Sequence, residues 1–343
     1  MSQGSEPASE MPYGLRELRE HRPSLVSPNR IRCHVKDCGE VVVLPKGPHW
    51  KRWRDNRCSG HRIFMHKGTY RFDDAAMGWQ RNFLATVRDT EQLEAMRRSN
   101  TKFEQRWAHE NSEDALTWNV FRTFEKVRKL SPLVAVLTGG RVQMAGPIEL
   151  IPWGYHNGGP WDPLKKARAY FEPRKGVPTE PDVVLLGGSG VVFVEAKFGS
   201  PNKRKEPDIS RYQVGEFYKR CFTADLASVP YHQLVRHFLF AAHVAEQLGI
   251  RQFMLVNLVR RSSQQELGNT SRNFGQDFLK EPNQFRQATW EDIYDAFLRS
   301  NGLSPELDLL RRYFENKTWN LQPAFDRAVV TRKSEAAPVV SPS

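Results

Sequence analysis

The sequence lacks the features that would assign it to a membrane, secreted or repeat-protein class. None of its apolar runs approaches the roughly 20 residues that a membrane span needs, and its first residues do not have the charged-then-apolar layout of a signal sequence. It also has no internal repeat and no low-complexity block. We therefore expect a cytoplasmic protein with no membrane partner.

Acidic residues are in short supply relative to basic ones. The 343 residues include 51 Lys+Arg and 39 Asp+Glu, which leaves a formal net charge of +12. Such a charge favours an anionic partner through long-range attraction and counterion release. Nucleic acid is the first candidate. The charge does not distinguish DNA from RNA, and a homodimer is left open.

Composition along the chain predicts five segments. Both ends are polar and proline-bearing and have little to bury, so we expect them to be disordered. The segments are a disordered tail at 1–28, a Cys/His-containing module at 30–70, a helical connector at 73–110, the main α/β domain at 112–332 and a second disordered tail at 333–343.

The main domain is predicted to be a mixed sheet flanked by helices. Helical spacing predicts a helix in NSEDALTWNVFRTFEKVRKL, capped by Ser112, and another in YHQLVRHFLFAAHVAEQLG. Strands are predicted in RVQMAGPIELI, in both halves of TEPDVVLLGGSGVVFVEAKF and in QFMLVNLV. Further helices are expected in DISRYQVGEFYKRCFTADL, TWEDIYDAFLRS and LSPELDLLRRYFENKT.

The hairpin TEPDVVLLGGSGVVFVEAKF carries Asp182, Glu195 and Lys197 beside its apolar runs. Side chains two residues apart on a strand share a face and lie roughly 6.6 Å apart, so Glu195 and Lys197 point the same way. An antiparallel hairpin closed near Gly188 brings Asp182 back beside Glu195. Two carboxylates there make a hard oxygen site suited to Mg²⁺ or Mn²⁺, beside a lysine that can hold a water or a phosphate.

This arrangement resembles the signature of the PD-(D/E)xK nuclease superfamily, which has the restriction-endonuclease-like fold. The matching residues are Pro181-Asp182, twelve intervening residues and Glu195-Ala196-Lys197. The resemblance implies that Asp182 and Glu195 are metal ligands and Lys197 the catalytic lysine. It also implies that the main-chain carbonyl of Ala196 is a further metal ligand.

The same resemblance implies an acidic residue on the first core helix of the domain. Glu113 is the first choice and Glu125 the reserve. They are twelve residues apart, or about 18 Å of helix, so only one of them is expected to reach the metal. The alternative for the whole pattern is a chance surface hairpin with a solvated cross-strand pair.

A second constellation lies in CHVKDCG and CSGH. Cys33 and Cys38 are separated by four residues, nineteen residues follow, and Cys58 and His61 are separated by two. Two close pairs can each hold a metal from a tight turn, so this spacing predicts a structural zinc site within a small N-terminal zinc module. The run resembles treble-clef or ribbon-like zinc modules. A disulfide and unrelated buried thiols are the alternatives.

Basic and aromatic residues alternate between these two pairs. Such residues can contact phosphates and stack on bases, although the tryptophans could equally pack the small module onto the main domain. The candidate nucleic-acid contacts are Lys51, Arg52, Trp53 and Arg54.

Together with these patterns, the resemblance to the PD-(D/E)xK superfamily implies a Mg²⁺- or Mn²⁺-dependent DNA endonuclease of the restriction or defence type, with structural Zn²⁺. One alternative is a DNA repair or structure-specific nuclease. Another is a non-catalytic nucleic-acid-binding factor with a nuclease-like fold.

Overall fold

A computed structural model gives the fold and describes residues 25–27, 29–33, 38–43, 56–60, 63–66, 69–72, 79–88, 90–99, 106–109, 112–171, 180–198, 215–225, 228–261 and 270–316. The chain divides into two compact units. The first comprises Met1–Ala85, Glu104–Asn111 and Phe297–Ser343, and the second Thr86–Phe103 and Ser112–Ala296. The predicted domain boundaries are drawn differently and stay predictions. Among the described residues, no helix combines the length and apolar character that a bilayer crossing requires.

The strands and helices are numbered here in chain order. The strands are β1 (Leu25–Ser27), β2 (Arg30–Arg32), β3 (Val41–Val43), β4 (Arg57–Cys58), β5 (Ile63–His66), β6 (Thr69–Phe72), β7 (Glu149–Pro152), β8 (Tyr155–His156), β9 (Gly159–Pro160), β10 (Val183–Leu186), β11 (Gly190–Ala196), β12 (Gln252–Val259) and β13 (Phe285–Thr289). The helices are α1 (Ala85–Arg88), α2 (Glu91–Ser99), α3 (Glu113–Lys126), α4 (Leu130–Thr138), α5 (Asp162–Phe171), α6 (Glu216–Cys221), α7 (His232–Gln247), α8 (Phe274–Phe278), α9 (Trp290–Phe297) and α10 (Pro305–Asn316).

The first unit contains two small antiparallel sheets. One has the order β1-β2-β3 and the other β4-β5-β6. Its apolar packing includes Trp79, Phe83 and Trp107, whose ring centroids lie 5.2 to 5.9 Å apart. The buried amide of Asn82 donates to the carbonyl of Trp107 at 2.7 Å and fixes the chain beside these rings.

The second unit is built on a five-stranded mixed sheet with the order β13-β12-β11-β10-β7. Strand β10 pairs antiparallel with both β7 and β11, whereas β11, β12 and β13 run parallel to one another. Every residue of the central strand β11 is buried. Its apolar run at residues 190–194 is typical of a strand covered on both faces.

Helices flank this sheet, which confirms the predicted mixed α/β architecture. Helix α7 packs on β11 and β12, and α5 packs on α7. Helix α3 contacts β7, while α4 contacts β12 and β13. The predicted cap at the start of α3 is present, because the Ser112 side chain accepts a hydrogen bond from the backbone of Ala115 at 3.2 Å.

Some of the predicted elements differ from the structure. The predicted strand RVQMAGPIELI is a strand only at β7, because the chain before it turns and Gly146 adopts a φ of 74°, outside the extended region. In DISRYQVGEFYKRCFTADL the structure describes a helix only at α6, and residues 208–214 lie outside the described part. Helix α5 and the edge strand β13 were not predicted.

Candidate active site and a cysteine cluster

The β10–β11 hairpin brings Asp182 and Glu195 together. Val183 pairs with Val194 across the two antiparallel strands, so Asp182 and Glu195 are the next residues in register. Asp182 is half-buried, and its Oδ2 accepts a hydrogen bond from the backbone N–H of Ala196 at 2.7 Å. The carboxylate of Asp182 is therefore anchored to the end of the strand that carries Glu195.

Lys197 follows β11 directly and is also buried. Its ammonium forms a close ion pair with Oε1 of Glu195 and lies 3.5 Å from Oε1 of Glu113. Its backbone is held on both sides: the N–H donates to the carbonyl of Leu258 at 2.7 Å, and the carbonyl accepts from Nε1 of Trp290 at 3.1 Å. These contacts fix the direction in which the lysine leaves the sheet.

Helix α3 supplies the third carboxylate from its first residue, Glu113. Oε2 of Glu113 accepts a hydrogen bond from the backbone N–H of Phe198 at 2.7 Å. Glu125, the reserve candidate, lies at the other end of the helix and pairs with Arg122. The structure thus brings Glu113 to Lys197. We refer to Glu113, Asp182, Glu195 and Lys197 together as the acidic site.

One side chain at the acidic site was missed in the sequence. His237 of α7 is fully buried, and its Nδ1 lies 2.7 Å from Oε2 of Glu195. A signal was present, because His237 lies one helical turn from Leu234 and Ala241, on the face of α7 that the apolar periodicity assigns to the core. A histidine in that apolar stripe indicates a specific partner.

The surroundings push the pKa values of the two hairpin carboxyls apart. Burial, reinforced by the charge of Glu195, raises the pKa of Asp182 well above its usual range. Burial also acts to raise the pKa of Glu195, but Lys197 and His237 outweigh it and lower that pKa to about 2. The pKa of Lys197 is raised because its neighbouring carboxylates outweigh the effect of burial.

Negative charge exceeds positive charge at the acidic site. Burial and the nearby Glu195 and Asp114 all act to raise the pKa of Glu113, although Lys197 opposes them. The donors are carboxylate oxygens, which are the hard ligands that Mg²⁺ and Mn²⁺ prefer. The donor set therefore fits a divalent cation that would relieve the repulsion between the carboxylates. The backbone N–H of Ala196 is engaged with Asp182, and the role of its carbonyl as a ligand stays a prediction.

In the first unit, Cys33, Cys38 and Cys58 form a second cluster, here called the cysteine cluster. Their sulfur atoms all lie within 4.8 Å of one another, and those of Cys38 and Cys58 are 4.0 Å apart. None of the three forms a disulfide. Three thiols at this spacing suit a tetrahedral zinc ion. His61, the predicted fourth ligand, lies outside the described residues.

Glu40 lies against the turn that follows Cys58. Its carboxylate accepts the thiol hydrogen of Cys58 at 3.1 Å and the backbone N–H of Ser59 at 3.0 Å. These hydrogen bonds, that of the Ser59 backbone first, lower the pKa of Glu40. These contacts hold Cys58 and the turn that follows it in a defined conformation. The predicted nucleic-acid contacts Lys51, Arg52, Trp53 and Arg54 lie outside the described residues.

Comparison with known proteins identifies a family. A family model described as Restriction Endonuclease associating with ARP (REase-ARP) matches residues 51–317. No curated protein and no solved structure matches the chain. The matched stretch contains the whole acidic site together with His237 and Cys58, whereas Cys33 and Cys38 precede it.

Proposed function

Because the chain belongs to the family described as restriction endonucleases associating with ARP, we propose that it is a metal-dependent DNA endonuclease of the PD-(D/E)xK type. The observation that carries this proposal is the convergence of two hairpin carboxylates, a helix carboxylate and a buried lysine at one end of the mixed sheet. Family membership supports nuclease chemistry. Metal dependence, the DNA substrate and the residue roles are our proposal.

Asp182 and Glu195 would hold Mg²⁺ or Mn²⁺, with the carbonyl of Ala196 as a further ligand. When bound, the metal supplies Lewis-acid polarisation of the scissile phosphate and a more acidic bound water. The hydrogen bond from Ala196 to Asp182 keeps one carboxylate aimed at the site before any ligand arrives. Such preorganisation lowers the reorganisation needed during the reaction.

Lys197 would position the attacking water and offset the negative charge that develops on the phosphate. Its ammonium is shared between Glu195 and Glu113, and its backbone is fixed by Leu258 and Trp290. Glu113 would act by holding Lys197 and the start of α3 in place. A non-catalytic DNA-binding factor would have no need for a buried lysine held among three carboxylates.

The cysteine cluster supports a second part of the proposal. Cys33, Cys38 and Cys58 would bind a structural Zn²⁺, with His61 completing the tetrahedron. The ion would link the two small sheets, since Cys33 follows β2 and Cys58 ends β4. A small module with little apolar core gains stability from such a metal.

The substrate and metal requirement can be tested directly. We expect the purified protein to cleave DNA with Mg²⁺ or Mn²⁺ and to be inactive in EDTA. Supercoiled, linear and single-stranded DNA distinguish an endonuclease from a structure-specific or end-dependent enzyme. Nicking or linearisation of the supercoiled form supports an endonuclease. Cleavage confined to branched or flapped DNA would favour the repair-type alternative, and binding without cleavage under every condition would favour the non-catalytic factor.

A further inference from the structure

The mechanism proposed above leaves one buried polar group at the acidic site without a role. His237 has no exposed surface, and its Nδ1 lies 2.7 Å from Oε2 of Glu195. Nδ1 is thus within hydrogen-bonding distance of Glu195, whereas Nε2 has no hydrogen-bond partner among the described residues. Burying an imidazole in this way costs free energy, so the nearby carboxylate is the group that can account for its position.

His237 and Lys197 contact different oxygens of the same carboxylate, that of Glu195. Lys197 pairs with Oε1 of Glu195, and His237 lies against Oε2. Each carboxylate oxygen has two lone pairs, so each can accept one contact from the protein and keep the other lone pair for a cation. Lys197 and His237 can therefore set the plane of the Glu195 carboxylate and still leave lone pairs on its oxygens for a cation.

The chemistry of the pair determines how the ring is protonated. A carboxylate accepts hydrogen bonds and does not donate them, so the nitrogen facing Glu195 must carry a hydrogen. A hydrogen is accordingly assigned to Nδ1. The ring of Phe240 packs near the imidazole, with its centroid 6.3 Å from that of His237.

The element that carries His237 is suited to a positioning role. Helix α7 is 16 residues long and lies against β11 and β12 in the core of the second unit. Both neighbours of the histidine, Arg236 and Phe238, are buried. A side chain on such a helix is held in place by packing, so its contact with Glu195 is a fixed feature of the fold.

We propose that His237 is a positioning residue that donates from Nδ1 to Glu195 and thereby orients this carboxylate for the divalent cation. The inference rests on the proposed function, because it assigns a metal-binding role to Glu195. Removing a group that hydrogen-bonds to a metal ligand and orients it typically lowers metal affinity by about 10–100-fold. His237 is expected to act in this range without touching the substrate.

The test measures Mn²⁺ binding to the full chain without DNA, by electron paramagnetic resonance of the unbound ion. The Glu195→Gln variant serves as the reference: the Mn²⁺ binding that it loses is the binding at the acidic site. We expect His237→Leu to weaken that binding by about 10–100-fold. His237→Asn should retain most of the affinity, because its amide nitrogen corresponds in position to Nδ1 and can donate. Phe240→Leu, the matched control on α7, should lower the melting temperature without changing Mn²⁺ affinity.

If the leucine variant does not fold, His237→Gln replaces it. Its amide nitrogen corresponds to Nε2, so it should lose affinity where asparagine retains it. The proposal is overturned if the leucine or glutamine variant binds Mn²⁺ like the wild-type protein, or if Phe240→Leu weakens binding equally. Wild-type protein with no Mn²⁺ binding that depends on Glu195 would instead overturn the metal site of the proposed function, and the role of His237 with it.

Discussion

Asp182 is an acid whose surroundings oppose its own ionisation. Burial and the neighbouring Glu195 raise its pKa well above the usual value of 3.8. An acid with a raised pKa in the folded state favours the folded protein when protonated and destabilises it when ionised. The destabilisation is therefore present above the raised pKa, declines as the pH falls through it, and is absent below about 3.8.

Replacing Asp182 with asparagine should stabilise the metal-free protein at neutral pH. The amide oxygen can still accept from Ala196, whereas the charge is removed. A gain of about 1 kcal/mol would raise the melting temperature by about 2–4 °C in a unit of this size. Thermal unfolding without added divalent cation, at pH 7 and near pH 4, should show the gain at neutral pH and little at acidic pH.

The exposed Asp277 provides the control, since Asp277→Asn should show no such gain. Added Mg²⁺ should stabilise the wild-type protein by mass action and the Asp182→Asn variant much less. A variant that is less stable than wild type at pH 7 without metal would contradict the electrostatic account of this carboxyl.

At the residue level, the sequence was informative where the contacts are local. Alternation along a strand and one tight turn were enough to predict that Asp182, Glu195 and Lys197 share a face. The contact between His237 and Glu195 depends on how α7 docks on the sheet. That docking is set by packing across 42 residues of chain, so no local pattern specifies it.

At the element level, helix α3 separates two candidate acids by its length. Glu113 is at its first position, within 3.5 Å of Lys197, and Glu125 pairs with Arg122 near its end. Continuous apolar runs made β10, β11 and β12 predictable, because strands buried on both faces need them. The edge strand β13 reads FRQAT, in which the adjacent polar residues Arg286 and Gln287 break any alternation, and α5 is short with most of its polar positions exposed, so neither was predicted.

The two acids of α3 should differ sharply when neutralised. Glu113→Gln removes a negative charge beside Lys197, and we expect DNA cleavage to fall by about tenfold or more. Glu125→Gln is the matched control on the same helix. Burial raises the pKa of Glu125, so a neutral amide is tolerated there and cleavage should not change. Initial rates at saturating Mg²⁺ measure both, and a loss with Glu125→Gln but not with Glu113→Gln would contradict the assignment.

At the scale of the whole molecule, the chain has two compact units that are stabilised in different ways. The second has a large apolar core around its mixed sheet. The first has two three-stranded sheets and the cysteine cluster. The spacing of the cysteines predicted their proximity, because short turns bring paired residues together. Spacing does not specify how such a module is arranged on the rest of the chain.

Zinc should be bound by the first unit and needed for its stability. We expect metal analysis to find about one zinc per chain, and Cys38→Ser to lose it because a thiolate ligand is removed. Hydrogen exchange should then increase in the first unit and remain low in the strands of the second. Cys221→Ala, at the fourth cysteine, should retain the metal.

Two results would contradict the zinc site. One is protein expressed with zinc available that contains none. The other is a disulfide between Cys33 and Cys58 under reducing conditions.

The most direct test of the central claim is Mg²⁺-dependent cleavage of DNA by Asp182→Asn beside the wild-type protein. The variant should be folded and at least as stable, yet lose about a hundredfold or more of the cleavage rate, since a ligand of the metal is gone. Its DNA binding in EDTA should be unchanged or tighter, because a negative charge has left a site that receives phosphate. Cleavage equal to that of the wild-type protein, in preparations free of contaminating nuclease, would contradict the assignment of the acidic site as the catalytic centre.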